Sequence, residues 1–407
     1  MKRRDFLQYA GAILAVIAGR PRNTFGLSQN AGRGVPPKRG RKTIVALAGV
    51  RKGASEREMK SAVRAAAETV TDFSWLSKGD RVFIKPALNS GNPYPATTSP
   101  VAVGAMIELL KGRGARRVIV GDMSGVEHVK LSPDGLVGST RRLMEASGMA
   151  GAVKAAGGEM HFFEEAGWHA FYEDAPVSGS HWKRPLMMPK ILQEVEHIIL
   201  MPRCARHVLA GSTMGLKAAV GYWRTDTRLE YHRDASTFHE KTAEGNTVET
   251  LLKKQRLVLS AADKILTTFG PDEGLVCKPE NGLVIASASV AAHDMVSLAW
   301  LLENRRHISI EGKEWVKDNH DWVARIANCY VVNKLGGWRP MIASERLIKN
   351  DLHSIWDDRV LNQAYHVLGG MPRVTIEAAN KAVPEDIKQR LSKKTAWPPQ
   401  FSEKSQT

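Results

Sequence analysis

Cysteine is scarce in this chain of 407 residues, which has only Cys204, Cys277 and Cys329. They lie far apart and form no C-x-x-C pair. This excludes an iron–sulfur cluster held by four cysteines of this chain, and it excludes a zinc ribbon. One disulfide is compatible with an oxidising compartment, but three separate thiols are the simpler interpretation.

Long apolar runs and nucleic-acid-binding patterns are also missing. No run reaches the roughly 20 apolar residues of a membrane-spanning helix, so we predict no stable membrane span. Zinc-finger spacing, helix-turn-helix patterns and stacked aromatic and basic modules are not found, which disfavours nucleic acid despite a net charge of +16. Residues 1–42 hold ten basic residues against Asp5 alone and so contribute +9. The remaining +7 suits an anionic small molecule.

The N-terminal residues are typical of an export leader. Arg3 and Arg4 form an R-R-x-F-L pattern before the short apolar stretch 9–18, which Arg20 and the following proline interrupt too early for an anchor. The paired arginines indicate the twin-arginine route, with its translocase as a partner and a periplasmic or other extracytoplasmic location. This route carries folded proteins, often already loaded with a cofactor, so a transition metal is one candidate cofactor.

The body of the chain alternates between strand and helix patterns. Predicted strands at 43–50, 81–85 and 117–121 enclose predicted helices at 55–70 and 101–111. This order predicts an α/β fold with a mainly parallel central sheet flanked by helices. Further strands are predicted at 197–201, 264–269 and 283–288, and further helices at 247–261 and 290–302.

Four regions follow from these patterns. Residues 1–42 form the leader and a basic linker, and residues 43–304 form the α/β domain. Residues 305–383 are predicted to be a helical C-terminal part, in which the scattered tryptophans suit packing. Residues 384–407 are a polar tail that is expected to fray.

Ligands of open α/β sheets bind beyond the carboxyl ends of the strands, so the residues placed there are the candidate site. Lys85 ends a predicted strand, where it is suited to hold an anion or to act as a base if burial lowers its pKa. Asp122 ends the next strand and is suited to orient Lys85, although a helix or turn cap is an equal alternative. A lysine that extends from the sheet edge into solvent is the alternative for Lys85.

A second group of candidates follows the strand at 197–201. His207 is predicted to act as an acid/base group, together with Lys85 and Asp122. Lys217 lies at an apparent helix start, where backbone N–H groups favour an anion; a structural ion pair is its alternative. The residues predicted to bind an anionic substrate are Lys217, Arg203, Arg206, Thr98 and Ser124.

Three histidines raise the question of a metal site. His207, His232 and His239 lie within one region, and a carboxylate such as Asp226 or Glu240 would complete a ligand set. None of the common metalloenzyme spacings is present. His207 alone as an acid/base or anion donor is the stronger hypothesis.

Short motifs stand at these same positions. They are Lys85-Pro86-Ala87, Thr97-Thr98-Ser99-Pro100, Gly121-Asp122, Pro202 to His207, Leu216-Lys217-Ala218 and Ala292-His293-Asp294. In order and spacing, over about residues 81–302, they resemble the domain of unknown function 362 family. The chain departs from the family pattern at Ala87 and Ala218, where asparagine is usual, and at Arg203 and Arg206, which replace a lysine. Many members carry a ferredoxin-like iron–sulfur module, and this chain has none.

The resemblance implies an architecture and a site more than a reaction. We predict an exported enzyme that acts on an anionic small molecule in a basic cleft, with a metal or cofactor and a redox partner as candidates. An isomerase or racemase that uses paired Lys and His around a metal cofactor is a looser alternative, which rests on residue types only. Two functions without turnover stay open: a periplasmic solute- or cofactor-binding protein, and an accessory subunit. A titratable group with a perturbed pKa beside the anion would favour the enzyme.

Overall fold

The structure of the protein, a computed structural model, describes residues 37–306 and 352–397, apart from positions 208, 235, 236, 269, 271 and 273, together with the single residue Asn333. The predicted leader and most of the predicted helical C-terminal part lie outside the described residues.

The strands are numbered in chain order. They are β1 (Arg39–Arg51), β2 (Arg81–Pro86), β3 (Arg117–Asp122), β4 (Lys130–Ser132), β5 (Gly135–Val137), β6 (Glu159–Phe162), β7 (Phe171–Asp174), β8 (Leu186–Pro189), β9 (His197–Met201), β10 (Ala205–His207), β11 (Gly211–Thr213), β12 (Gln255–Ala262), β13 (Ile265–Leu266), β14 (Val276–Cys277), β15 (Asn281–Ser287) and β16 (Met371–Ala378).

The helices are numbered in the same way. They are α1 (Glu56–Val70), α2 (Pro100–Gly112), α3 (Thr140–Ala146), α4 (Met149–Ala155), α5 (Ile191–Glu194), α6 (Gly215–Ala218), α7 (Thr225–Arg233), α8 (Phe238–Glu244), α9 (Glu249–Lys254), α10 (Val290–Arg305), α11 (Arg359–Val367) and α12 (Glu385–Thr395), with 3-10 helices at Ala219–Tyr222 and Ile355–Asp357. Within the described part of the chain, no helix has the length and apolar character needed to cross a bilayer.

Eight strands form the central sheet in the order β16-β1-β15-β12-β9-β2-β3-β6. Only β15 runs against its neighbours, β1 and β12; every other adjacent pair in this sheet is parallel. The prediction of a mainly parallel α/β sheet is confirmed. A smaller sheet, β11-β10-β13-β14, lies beyond the end of β9.

Helices cover both faces of the sheet, which explains why its strands are continuous apolar runs. On β2, Val82 and Ile84 pack with α1 and α2 on one face, whereas Phe83 joins an aromatic cluster on the other. Farther along the sheet, that second face is covered by α10, α11 and α12. Ser55 and Glu58 make the predicted capping box at the start of α1.

Two predicted elements differ from the structure. The helix expected over 247–261 is the short α9 followed by β12, whose buried residues lie between β9 and β15. A strand buried on both faces has no period-2 pattern, so its sequence does not distinguish it from a buried helix. The tail expected to fray after Pro384 instead forms α12, which buries Ile387 and Leu391.

The C-terminal part also supplies a strand that the sequence does not predict. β16 pairs in parallel with β1 across more than 300 residues of chain and forms an edge of the sheet.

Candidate functional site

Three strands bring the candidate residues to one edge of the sheet. β9, β2 and β3 are adjacent and parallel, so Lys85, Asp122 and Arg203 all lie at or just beyond their carboxyl ends. This is the edge at which open α/β sheets bind ligands.

Lys85 and Asp122 form a closed pair. The lysine Nζ lies 2.9 Å from Asp122 Oδ1, and the two side chains are 1% and 4% exposed. The ammonium also donates to the Pro86 carbonyl at 2.7 Å and lies 5.3 Å from the centre of the Tyr222 ring. Burial lowers the pKa of Lys85, and Asp122 opposes that shift. Each charge of the pair is therefore neutralised by the other.

Backbone groups complete this pair. Asp122 accepts hydrogen bonds from the Leu88 and Met123 N–H groups, at 3.0 and 2.8 Å. Gly221 packs so closely that a Cβ at this position would overlap the Lys85 ammonium and the Asp122 carboxylate. These contacts show that Lys85 and Asp122 support the strand ends, and the catalytic role that the sequence suggests stays a prediction.

Arg228 is a buried residue that the sequence analysis missed. Its guanidinium donates to the carbonyls of Trp223, Ser124, Met123 and Gly221, at 2.5 to 2.7 Å. Every guanidinium nitrogen has a carbonyl partner, so Arg228 ties the start of α7 to the end of β3. No pattern in its surroundings distinguishes it from a surface arginine of an amphipathic helix.

Thr98 and Ser124, predicted to bind the anion, are occupied by the backbone. Thr98 Oγ1 donates to the Met201 carbonyl at 2.5 Å and accepts from the Ala87 N–H at 2.8 Å. Ser124 Oγ donates to the Leu88 carbonyl at 2.6 Å. Both hydroxyls are buried and hold loops together.

Arg203 differs from the site residues described so far, because its guanidinium group has no hydrogen-bond partner among the described residues. It is 1% exposed, and its Nε and both terminal nitrogens are buried without a hydrogen-bond partner in the described part of the chain. Burial lowers its pKa to about 10, and the charge of Asp272 opposes this shift. A buried cation without hydrogen bonds is costly. A guanidinium group without other partners is suited to bind a planar anion, such as a carboxylate, through two parallel hydrogen bonds.

The position of Lys217 near Arg203 is fixed by a buried carboxylate of helix α10. Asp294 of α10 accepts from the Gly215 and Leu216 N–H groups at 2.8 Å each and so caps α6. A Cβ on Gly215 would lie 2.9 Å from that carboxylate, which explains the glycine. His293 also contacts Asp294, at 2.8 Å, and Ser260 at 2.9 Å. Asp294 is thus a positioning residue for Lys217.

The Lys217 amine has no carboxylate partner among the described residues. Its Nζ lies 5.5 Å from the centre of the Tyr231 ring and 5.7 Å from that of Phe238. Burial and the positive charges of Arg203 and Arg228 lower its pKa to about 7. The ammonium and the free amine are therefore both populated at neutral pH.

His207 and His232 face the same positive group as neutral rings. His207 Nδ1 accepts from the Leu209 and Ala210 N–H groups, at 3.0 and 3.1 Å, so its proton is on Nε2. His232 Nδ1 donates to the Arg228 carbonyl at 2.8 Å, so its Nε2 is an acceptor. Burial, then Lys217, keeps the pKa of His207 well below its usual range and lowers that of His232 to about 3. His207 is therefore placed to donate a hydrogen bond from Nε2, and its acid/base role stays a prediction.

Lys217 also lines a cleft that contains two aspartates. The residues that line it are Ser212, Met214, Leu216, Lys217, Asp294, Asp358, Val360 and Leu361. Asp358 caps α11 through the Leu361 N–H at 2.9 Å, and burial raises its pKa to about 6. The predicted anion ligand Arg206 donates to the Gly211 carbonyl, and its charge opposes the shift of Asp358. The sequence analysis missed Asp358, for which the only local pattern is a helix cap.

The three predicted metal ligands are not brought together. The described residues contain no group of three His, Cys, Asp or Glu side chains that would hold a metal ion. His239 lies near Arg359, whose charge adds to burial in lowering its pKa to about 3. His207 has a proton on Nε2 and lies among positive charges, which repel a metal cation. These residues do not fit the metal that the sequence suggests.

The site thus has two parts with different chemistry. Arg203, Lys217 and the Nε2–H of His207 form what we call the basic cluster, which presents positive charge and hydrogen-bond donors. Lys85, Asp122 and Arg228 support the strand ends beneath it. The chemistry of these groups is suited to a small anion that lies against an amine.

The fold and this site are those of an α/β protein with a cluster of basic side chains at the carboxyl ends of its parallel strands. The chain belongs to the family described as Domain of unknown function (DUF362), whose model matches residues 82–299. The predicted resemblance is confirmed. None of the curated proteins compared with the chain matches it.

Two solved structures are similar to this chain. One is a protein from Thermotoga maritima, with 13% identity and a TM-score of 0.37, over 58% of this chain and 56% of that protein's length. The second is the lactate racemase apoprotein from Thermoanaerobacterium thermosaccharolyticum, with 10% identity and a TM-score of 0.38, over 86% of each chain. Likenesses this distant say nothing about activity.

Proposed function

We propose that the protein binds a small anionic molecule at the basic cluster. The observation that carries this proposal is Arg203, whose buried guanidinium nitrogens have no partner among the described residues. Folding buries such a charge at a cost that a bound carboxylate, sulfate or phosphate would offset. Lys217 and the His207 Nε2–H lie beside it and would add two more donors.

Turnover is the second part of the proposal, and Lys217 favours it. A protein that only binds an anion does not need an amine that is half deprotonated at neutral pH, whereas an enzyme uses such a group as a base or nucleophile. The pKa of Lys217, lowered to about 7, meets this criterion. We therefore favour an enzyme over a solute-binding protein.

Sulfate affinity is expected to fall as pH rises above 7. Lys217 is an ammonium below its pKa of about 7, and the bound anion raises that pKa, so binding at higher pH must take up a proton. The dissociation constant should increase by up to about tenfold per pH unit until the raised pKa is reached. Calorimetric titration of the purified protein with sulfate, which stays doubly charged in this range, measures the affinity and the proton uptake.

The matched control is Lys217→Met. Asp358, with a pKa of about 6, also gains negative charge as pH rises, but it is mostly ionised above pH 7. The pKa values of His207 and His232 lie below this range, and those of Arg203 and Arg228, lowered to about 10, lie above it. Between pH 7 and 8.5 the variant should therefore bind weakly with a flat profile. Wild-type affinity that is flat over this range, with no proton uptake, would contradict the assignment of Lys217.

We further propose that residues 1–42 direct export by the twin-arginine route. Replacement of both Arg3 and Arg4 by lysine should leave the protein in the cytoplasm, because the translocase requires the paired guanidinium groups. Immunoblots of periplasmic and cytoplasmic fractions measure this. Replacement of Arg20 and Arg22 by lysine changes the same residue type outside the motif and should leave export intact. Unchanged export of the first variant would refute the proposal.

A further inference from the structure

Lys217 is unlike the other enclosed lysines of the described structure. Lys85 has its carboxylate at 2.9 Å. Lys241 also lies over an aromatic ring, that of Trp182, but Glu230 and Asp234 are 3.6 and 3.8 Å from its Nζ. Lys217 lies over two aromatic rings and has no ion-paired carboxylate among the described residues, although Asp294 and Asp358 line the same cleft. The charges that shift its pKa, in addition to burial, are those of Arg203 and Arg228.

These surroundings favour a nucleophilic amine. Burial and the positive charges of Arg203 and Arg228 disfavour an ammonium at Lys217, and neighbouring cations are one way in which proteins activate a lysine towards carbonyl carbons. The faces of the Tyr231 and Phe238 rings act in the opposite direction, because they attract an ammonium. With a pKa of about 7, about half of the Lys217 side chains are free amines at pH 7, against roughly one in 2,500 for an ordinary lysine. The free amine also avoids repulsion from Arg203.

The basic cluster supplies the other two contacts that such chemistry requires. Arg203 is suited to bind a carboxylate through two parallel N–H bonds. The Nε2–H of His207 is suited to donate to an oxygen of the same ligand, because its Nδ1 is fixed by two backbone N–H groups. In addition to burial, the positive charges of Lys217 and Arg203 both lower the pKa of His207, which indicates that the three side chains belong to one electrostatic cluster.

We propose that Lys217 forms an imine with the carbonyl carbon of a 2-oxo acid whose carboxylate is bound by Arg203. This inference rests on the proposed function and names its substrate class. A ketone next to a carboxylate places the electrophilic carbon one bond from the group that Arg203 holds, within reach of a neighbouring amine.

The reaction needs no oxidant or reductant. The lone pair of the Lys217 amine forms a C–N bond to the carbonyl carbon, and the carbonyl π electrons move to oxygen, which takes up a proton. The nitrogen loses a proton, which gives a neutral carbinolamine. The hydroxyl group takes up a second proton and leaves as water while the nitrogen lone pair forms the C=N bond, and the protonated imine that results can lose its proton to give the neutral imine. The products are an imine and one water molecule. Hydride from added cyanoborohydride converts the protonated imine to a stable secondary amine.

Reductive trapping tests this proposal. The purified protein is incubated with pyruvate and sodium cyanoborohydride at pH 7, and the modified lysines are identified by peptide mass spectrometry. We expect Lys217 to be modified at least ten times faster than any other lysine. Acetone, which has the ketone without the carboxylate, should modify it at least tenfold more slowly than pyruvate does.

Two variants make the result specific. Lys217→Arg keeps the positive charge but removes the nucleophile and should abolish the selective modification. Lys241→Arg changes a lysine that is already ion-paired and should leave it intact. Pyruvate binding measured by calorimetry without modification of Lys217 would overturn the imine and leave the proposed anion site standing. Absence of both binding and modification would overturn the two proposals together.

Discussion

Arg203→Met is expected to abolish anion binding while leaving the ligand-free protein at least as stable as the wild type. The guanidinium has no hydrogen-bond partner among the described residues, so its removal breaks no protein contact of that kind. A methionine fills similar space without the cost of a buried charge, and unfolding free energy should stay level or rise by about 1 kcal/mol.

The loss of affinity should be large for the same reason. Hydrogen bonds between charged groups contribute about 1.5–3 kcal/mol each, so the loss of a two-bond contact predicts a dissociation constant at least about 100-fold weaker. Calorimetric titration with sulfate or pyruvate measures the affinity. Urea unfolding of the same samples measures the stability.

Arg228→Met is the matched control for this experiment. It removes an equally buried arginine, but one whose nitrogens bind four carbonyls. Those acceptors would be left unsatisfied, and we expect a destabilisation of about 3 kcal/mol or more. If Arg203→Met were destabilised as strongly as Arg228→Met, Arg203 would be a structural residue and the anion site would lose its main support.

Replacement of Arg203 and replacement of Arg228 are expected to change the stability of the protein differently, and this difference shows how far a sequence predicts a site of this kind. The position of a residue at a strand end follows from local pattern, because the apolar runs of β2, β3 and β9 are evident and parallel strands end at one edge. That reasoning locates Lys85, Asp122 and Arg203. It does not identify the partner of each side chain, because the partner depends on contacts between distant segments.

Lys85 and Lys217 illustrate this limit. Each lysine follows an apolar segment and precedes small residues, so local pattern assigns both the same role. In the fold, Lys85 meets Asp122 on the neighbouring strand, while Lys217 meets aromatic rings from α7 and α8. Asp358 is missed for a related reason: it reaches the cleft from a segment more than 140 residues beyond Lys217.

Strand β12 shows the corresponding limit for the fold. Strand β12 is apolar at five of the six positions 257–262 and continues directly from α9, so the two elements together have the length of one helix. Only the neighbouring strands β9 and β15 decide between a helix and a strand, since they pair with both edges of β12. The intrinsic strand propensity of a segment is a weak predictor of its structure where neighbouring strands are available to pair with it.

Lys85→Met should cost about 3–5 kcal/mol of unfolding free energy, because it leaves the Asp122 carboxylate buried without its counter-ion. The double variant Lys85→Met with Asp122→Asn removes both charges and should recover part of that loss. The introduced asparagine keeps one acceptor oxygen for the Leu88 or Met123 N–H that the aspartate now binds. Urea unfolding of the wild type, both single variants and the double variant gives the coupling energy of the pair.

The same variants separate the supporting role from a catalytic one. Because Lys85 is closed off by Asp122, Pro86 and the Tyr222 ring, the folded fraction of Lys85→Met should still show pyruvate modification of Lys217. A Lys85→Met protein with wild-type stability that no longer binds the anion would contradict this. That result would return Lys85 to the site as a ligand and would require the pair to open when the anion binds. The buried geometry favours the first outcome, since an opened pair would expose two charges that the fold now satisfies internally.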